Sequence, residues 1–170
     1  MSDCCSIKSP AEKPVTETAT PGTNSCLECA QPGKSVETKT LKHTVQPWHL
    51  ELVNKPGFLF CRSKECCVIY FHPDGECLHK PDVRVRVGLK ETEDPVSICY
   101  CFGFTEAMAV KEIRDTGKCT IPQRITAEVK AGNCACEIRN PQGFCCLGNV
   151  NAAVKRVMKV VAAEKAGALA

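Results

Sequence analysis

Aromatic side chains are scarce in this sequence, with one Trp, two Tyr and six Phe among 170 residues. That excludes a single large core built on rings and leaves one ordinary domain or two small units held by something other than apolar mass. No apolar run reaches the roughly 18 residues that a membrane span requires, so membrane insertion is not expected. Met1-Ser2-Asp3-Cys4-Cys5-Ser6 shows no charged stretch leading into an apolar one, so no secretion signal is read. The formal charge of +3 is mild and no Lys/Arg run is interleaved with aromatics, which gives nucleic-acid binding no support. No nucleophile and base motif is visible, and the chain is not expected to be an enzyme.

What the sequence has in abundance is cysteine, fifteen in all. A chain read as lacking an export signal is expected in the cytoplasm, where clustered thiols bind metals more often than they form disulfides. The odd count points the same way.

Three regions follow from composition and period. Residues 1–22 hold Pro10, Pro14 and Pro21 among polar residues and read as a flexible leader, in which Cys4-Cys5 is placed to capture a soft metal ion. Residues 23–92 read as a β-rich unit with four strands near 36–41, 57–61, 67–71 and 83–87, joined by turns such as Pro73-Asp74-Gly75. In the last of these, the valines are expected inside and Arg84 and Arg86 in water. So small a unit needs a staple. Cys26-x-x-Cys29 and Cys61-x4-Cys66 supply four thiols, the closed shell of a structural Zn²⁺. Cys67 should turn away from Cys66, and Cys77 lies in the 75–80 loop with no partner at ligand spacing. His43, His49, His72 and His79 are expected to face solvent.

Beyond Glu91-Thr92-Glu93-Asp94-Pro95 the period changes from strand to helix, so residues 93–170 read as a helical unit. Thr105 caps a helix that Gly117 stops, and Thr120-Ile121-Pro122-Gln123 reads as a capping box for the next, ended by Gly132. The last helix starts near Cys146 with Leu147, Val150, Val154, Val157 and Val161 on one face. The fold class is therefore α+β, a small β-rich zinc-binding domain followed by a small helical one.

The thiols of this second unit are Cys99-Tyr100-Cys101, Cys119, Cys134-Ala135-Cys136 and Cys145-Cys146. A [2Fe–2S] cluster needs two ligands on each iron, and the C-x-C turn can serve one iron while a second pair crosses from the later loop. Cys99 and Cys101 are the first pair. The second comes from Cys134 or Cys136 and from Cys145 or Cys146. Cys146 is favoured because a helix start offers free N–H groups to a thiolate, and Cys119 is expected to pack.

Cys99-Tyr100-Cys101-Phe102-Gly103-Phe104-Thr105 with Gly132-Asn133-Cys134-Ala135-Cys136-Glu137 resembles the [2Fe–2S] fold of bacterioferritin-associated ferredoxins. Cys134-x-Cys136-Glu137-x-x-Asn140-Pro141-x-Gly143-x-Cys145-Cys146-Leu147-Gly148 is similar to the N-terminal region of archaeal-type CopZ copper chaperones. So is the preceding Cys26-x-x-Cys29 with Cys61-x4-Cys66-x-Val68-Ile69-Tyr70-Phe71. The resemblance covers about residues 22–163. It implies cluster ligands in the order C-x-C, one cysteine after the second helix and one before the last helix, here Cys99, Cys101, Cys136 and Cys146. It also implies a following copper-binding domain with an M-x-C-x-x-C loop. Since that domain is not in this sequence, copper transfer to an ATPase is not carried over. The expectation is a zinc- and [2Fe–2S]-binding protein that carries one electron or assists copper handling by reducing Cu(II) to Cu(I), with a redox or copper-handling protein as partner. The alternative is a thiol-based metal scavenger without electron transfer.

Overall fold

The computed structural model describes residues 24–167, so the leader and its Cys4-Cys5 pair lie outside it. The first half is a four-stranded antiparallel meander. Strand β1 (Lys34–Ser35) precedes helix α1 (Thr38–Thr44), and β2 (Leu59–Phe60), β3 (Val68–Phe71) and β4 (Cys77–His79) follow, in the sheet order β1-β2-β3-β4. Pairs such as Leu59↔Phe71 and Phe71↔Cys77 set the register. Phe60, Ile69, Tyr70 and Leu78 pack with Leu41 of α1 and with Val45 just after it, whereas Leu59, Val68 and Phe71 pack with Cys26, Cys61 and Cys66. The sheet thus separates a small apolar core from a thiol cluster.

Two of the four expected strands are absent from the described residues as strands. The alternation across 36–41 belongs to the start of α1, where Thr40, Leu41 and Thr44 are buried. A helical turn buries neighbours three and four apart, so β-branched residues in a short segment follow their tertiary surroundings over their own strand preference. Residues 83–87 make only the isolated bridge Val45↔Val83, although Val83 and Val87 are buried and Arg84 and Arg86 exposed as the alternation implies. The fourth strand is instead β4, within the stretch read as the Cys77 loop. Pro73-Asp74-Gly75 does turn the hairpin, with Gly75 at φ +112°.

The second half is built on helices. Strands β5 (Ser97–Cys99) and β6 (Phe104–Thr105) form a two-stranded ribbon, followed by α2 (Glu106–Thr116), α3 (Ile121–Lys130), the single turn α4 (Cys136–Arg139) and α5 (Leu147–Gly167). Thr105 caps α2 by accepting the Met108 N–H at 3.3 Å, and Gly117 ends it in the left-handed conformation at φ +75°. The capping box expected at Thr120 does not form. Instead the Glu112 carboxylate, from the preceding helix, accepts both the Thr120 N–H at 2.7 Å and its hydroxyl at 2.6 Å. Helix α5 buries Val150, Ala153, Val154, Val157 and Val161 against α2 and α3, a stripe at the spacing read from the sequence. No described helix is long and apolar enough to cross a membrane.

The halves meet around the loop that leads from α4 to α5. Tyr70, fully buried, donates its phenol to the Pro141 carbonyl at 2.5 Å, and Thr40 donates to the Glu137 carbonyl at 2.6 Å. Gly143, at φ +73°, passes close to α1, where a Cβ would lie 3.2 Å from Thr40 Oγ1. The Lys34 ammonium sits 3.4 Å from the centre of the Phe144 ring.

Candidate metal centres

The first centre is local in origin. Residues 24–33 fold back on themselves: the Cys26 N–H donates to the Gln31 carbonyl and the Ala30 N–H to the Cys26 carbonyl, with Ala30 at φ +56°. That knuckle carries Cys26 and Cys29. Cys61 directly follows β2, and Cys66 precedes β3, so the antiparallel pairing of these strands sets the second pair beside the first. All four Sγ atoms lie within 4.8 Å of one another. Cys26 and Cys66 are 3.8 Å apart, and Cys29 and Cys61 are 3.7 Å apart. A tetrahedral ion with Zn–S bonds of about 2.3 Å needs S···S edges of about 3.8 Å, so the quartet fits Zn²⁺.

The electrostatics fit as well. Burial opposes charge on Cys29, yet the Gln31 N–H and the neighbouring thiols hold its pKa below the ordinary thiol value. Burial pushes Cys61 up to about 11 despite the Ser63 N–H and the nearby Lys90 charge, and it raises Cys66 against the Val68 N–H. These N–H···S bonds two residues downstream are donors aimed at sulfur that becomes thiolate when an ion binds. Four thiolates around a divalent ion leave two net negative charges. Lys90, buried, answers them, with its ammonium on the Ser63 carbonyl at 2.7 Å and the Cys66 carbonyl at 3.0 Å. Nothing near Lys90 in the sequence signals this role, because its partners lie more than twenty residues upstream.

The second set of thiols is arranged differently. Cys99 ends β5 and Cys101 stands in the turn to β6, Cys136 opens α4, and Cys146 directly precedes α5. All four are buried, while Cys134 is half-buried and Cys145 exposed. Cys101 and Cys136 approach to 3.6 Å. That approach links the turn to the later segment, where the sequence suggested that the turn would furnish a pair by itself. The Cys146 thiol, assisted by the Phe102 and Cys101 N–H groups, brings Cys99 down to about 6. Burial and the Cys101 thiol push Cys136 up to about 12, opposed by the Cys146 N–H, and Cys146 is raised chiefly by the neighbouring Cys99. The Ala135 N–H reaches Cys101 Sγ at 3.4 Å.

The loop that carries Cys146 is stiffened from within. Buried Asn140 donates to the Phe144 carbonyl at 2.6 Å and accepts the Gln142 N–H at 3.0 Å. Arg139 donates to the Cys101 carbonyl at 3.1 Å. Neither residue was singled out from the sequence for a side-chain role, although the Asn140-Pro141-Gln142-Gly143 run reads as a turn. Cys119 packs beside α2, 3.8 Å from a Glu112 oxygen, as expected of a thiol outside the ligand set.

Among the histidines, His43 is exposed as expected. His49 pairs with Asp82 at 2.8 Å, and His72 is buried, contrary to the expectation that it faces solvent.

Comparison with known proteins agrees with the first centre. Residues 23–84 match the family of zinc-binding domains designated zf_CopZ. Over 122 residues the chain is 32% identical to the copper chaperone CopZ of Archaeoglobus fulgidus, across 71% of this chain and 57% of that protein. It thus spans little more than half the length of that relative. The X-ray structure of the Archaeoglobus fulgidus CopZ N-terminal domain is similar with a TM-score of 0.65 and 29% identity, over 75% of this chain and 95% of that one.

Proposed function

We propose that this chain is a zinc- and [2Fe–2S]-binding redox module that serves copper handling, divided near residues 92 and 93 into a zinc unit and a cluster unit. The zinc-binding domain and the likeness to a copper chaperone are the starting points. In this reading Cys26, Cys29, Cys61 and Cys66 hold Zn²⁺, and Cys99, Cys101, Cys136 and Cys146 hold the cluster. The observation that carries the second assignment is the buried contact of Cys101 with Cys136, with Cys99 and Cys146 buried in the same core. Four buried thiols are what a binuclear centre asks for, since each iron takes two protein ligands. Bound there, a [2Fe–2S] cluster supplies the exchange of one electron, which suits reduction of Cu(II) to Cu(I), the state thiolates prefer.

The chain's own contribution is to position and shield. The β5–β6 hairpin, the start of α4 and the loop before α5 bring the thiols together, and N–H groups aimed at sulfur offset thiolate charge. Zinc in a closed thiolate shell leaves no position for an activated water, which fits a structural ion and a non-enzymatic protein. The partners are a cytoplasmic electron donor and a copper-handling protein.

The test is reduction of Cu(II) by dithionite-reduced protein after the reductant is removed, with oxidised protein subtracted to allow for thiol chemistry. About one Cu(I) per chain should form as the visible absorption recovers. Loss of both on Cys99→Ser and Cys101→Ser is expected. Equal Cu(I) from reduced and oxidised protein would instead favour scavenging by thiols such as exposed Cys145.

A further inference from the structure

The geometry points to a second kind of metal site on the β3–β4 hairpin, where His72, Asp74 and Glu76 bind a divalent late transition metal through one imidazole nitrogen and carboxylate oxygens. The segment His72-Pro73-Asp74-Gly75-Glu76 folds as the hairpin turn, and its ligand atoms lie within 4.8 Å of one another. His72 Nδ1 is 3.2 Å from Asp74 Oδ2 and 3.6 Å from Glu76 Oε2.

The protons decide how to read these distances. His72 Nε2 lies 3.1 Å from the Pro56 carbonyl, an acceptor only, so Nε2 carries the hydrogen. The Asp74 N–H points at Nδ1 from 3.2 Å, so Nδ1 presents its lone pair. Nδ1 and the two carboxylates are therefore acceptors that converge, and an ion binding there takes the Nδ1 lone pair from the Asp74 N–H. Glu76 Oε2 is shielded from water and has no hydrogen-bond partner, although Lys55 holds the other oxygen of this carboxylate, so one acceptor of the pair stays unsatisfied. An imidazole whose second nitrogen is tied to a backbone carbonyl is the arrangement that fixes a ligating tautomer.

The ring is also built in. It packs on Phe58 with centroids 5.1 Å apart, and at Gly57 (φ +107°) a Cβ would come within 2.8 Å of Nε2. The remaining charged neighbour is Lys55, whose ammonium holds Glu76 Oε1 at 2.6 Å and Asp74 Oδ2 at 3.3 Å. It shares Asp74 Oδ2 with the imidazole and leaves Glu76 Oε2 facing the ring. Lys55 is thus a built-in competitor that weakens the site. Imidazole with carboxylate suits Cu(II), Ni(II) or Zn(II), in contrast to the all-thiolate centres nearby. This site does not depend on the cluster assignment.

Calorimetric titration of Ni(II), which thiols do not reduce, into the zinc-loaded full chain under argon tests it. Glu76→Gln keeps the shape and a hydrogen-bond acceptor for Lys55, and should weaken one Ni(II) site at least tenfold, whereas Lys55→Met should tighten it severalfold. Wild-type affinity in both variants would overturn the proposal, since Ni(II) on cysteines would not respond to either. A second readout needs no variant: Ni(II) should broaden the His72 ring resonances in the wild-type protein, and sharp His72 signals at saturating Ni(II) would equally overturn it.

Discussion

The two thiol centres differ in geometry as much as in position. Around Cys26, Cys29, Cys61 and Cys66 every sulfur is within 4.8 Å of every other, a single tetrahedron. Around Cys99, Cys101, Cys136 and Cys146 one close approach stands out, Cys101 in the turn between short strands with Cys136 at the start of α4. The first arrangement is a staple on one face of the sheet, apart from the core of Phe58, Phe60, Ile69 and Tyr70. The second straddles segments that already share a core of Ile113, Ile121, Ile125 and the valines of α5. The comparison teaches that strand ends assemble the first quartet, whereas helix packing brings the second set together.

The largest effect should come from breaking the staple. Removing zinc, or Cys66→Ser, should unfold the sheet unit, because zinc binding linked to folding is worth on the order of 10 kcal/mol. Amide NMR dispersion of residues 24–90 should collapse while the α5 signals persist. Substitutions in the second set should separate its members without unfolding it. Cys101→Ser and Cys136→Ser should abolish visible absorption, and Cys145→Ser and Cys134→Ser should leave it.

The contacts between the units sharpen the comparison further. Tyr70→Phe leaves the Pro141 carbonyl without its buried donor, and should cost about 1–3 kcal/mol in denaturant unfolding. Faster loss of visible absorption in a chelator is the expected companion, because that loop carries Cys146. The smallest effect lies outside both thiol sets. Glu112 caps α3, and the Thr120 contacts hold its carboxyl below its ordinary value. A lowered folded value contributes stability above the unfolded one, lost as pH falls through the acid range. Glu112→Ala should therefore cost about 1 kcal/mol near neutral pH and much less in acid, read from urea midpoints at two pH values.

Much of this was legible in the sequence for a physical reason. Cys26-x-x-Cys29 encodes its own knuckle, and Cys61-x4-Cys66 spans adjacent strand ends, so spacing alone indicates a shared ion. The valine stripe of α5 and the caps at Thr105 and Gly117 are local signals, and the structure has them where they were read. Local signals failed where tertiary packing decides. The 36–41 alternation became α1 because Leu41 and Thr44 are buried between the sheet and the α4 turn, and the 83–87 alternation survived as burial but not as pairing. His72 gave no sign that its ring would be buried on Phe58, nor Tyr70 that its phenol would reach Pro141, seventy-one residues away.

Metal and acid-labile sulfide analysis of anaerobically purified protein, with its visible spectrum, tests the central claim most directly. One zinc, two iron and two sulfide per chain, with absorption bleached reversibly by dithionite, is the predicted result. Zinc without iron or sulfide would contradict it and reduce the chain to a structural zinc protein with spare thiols.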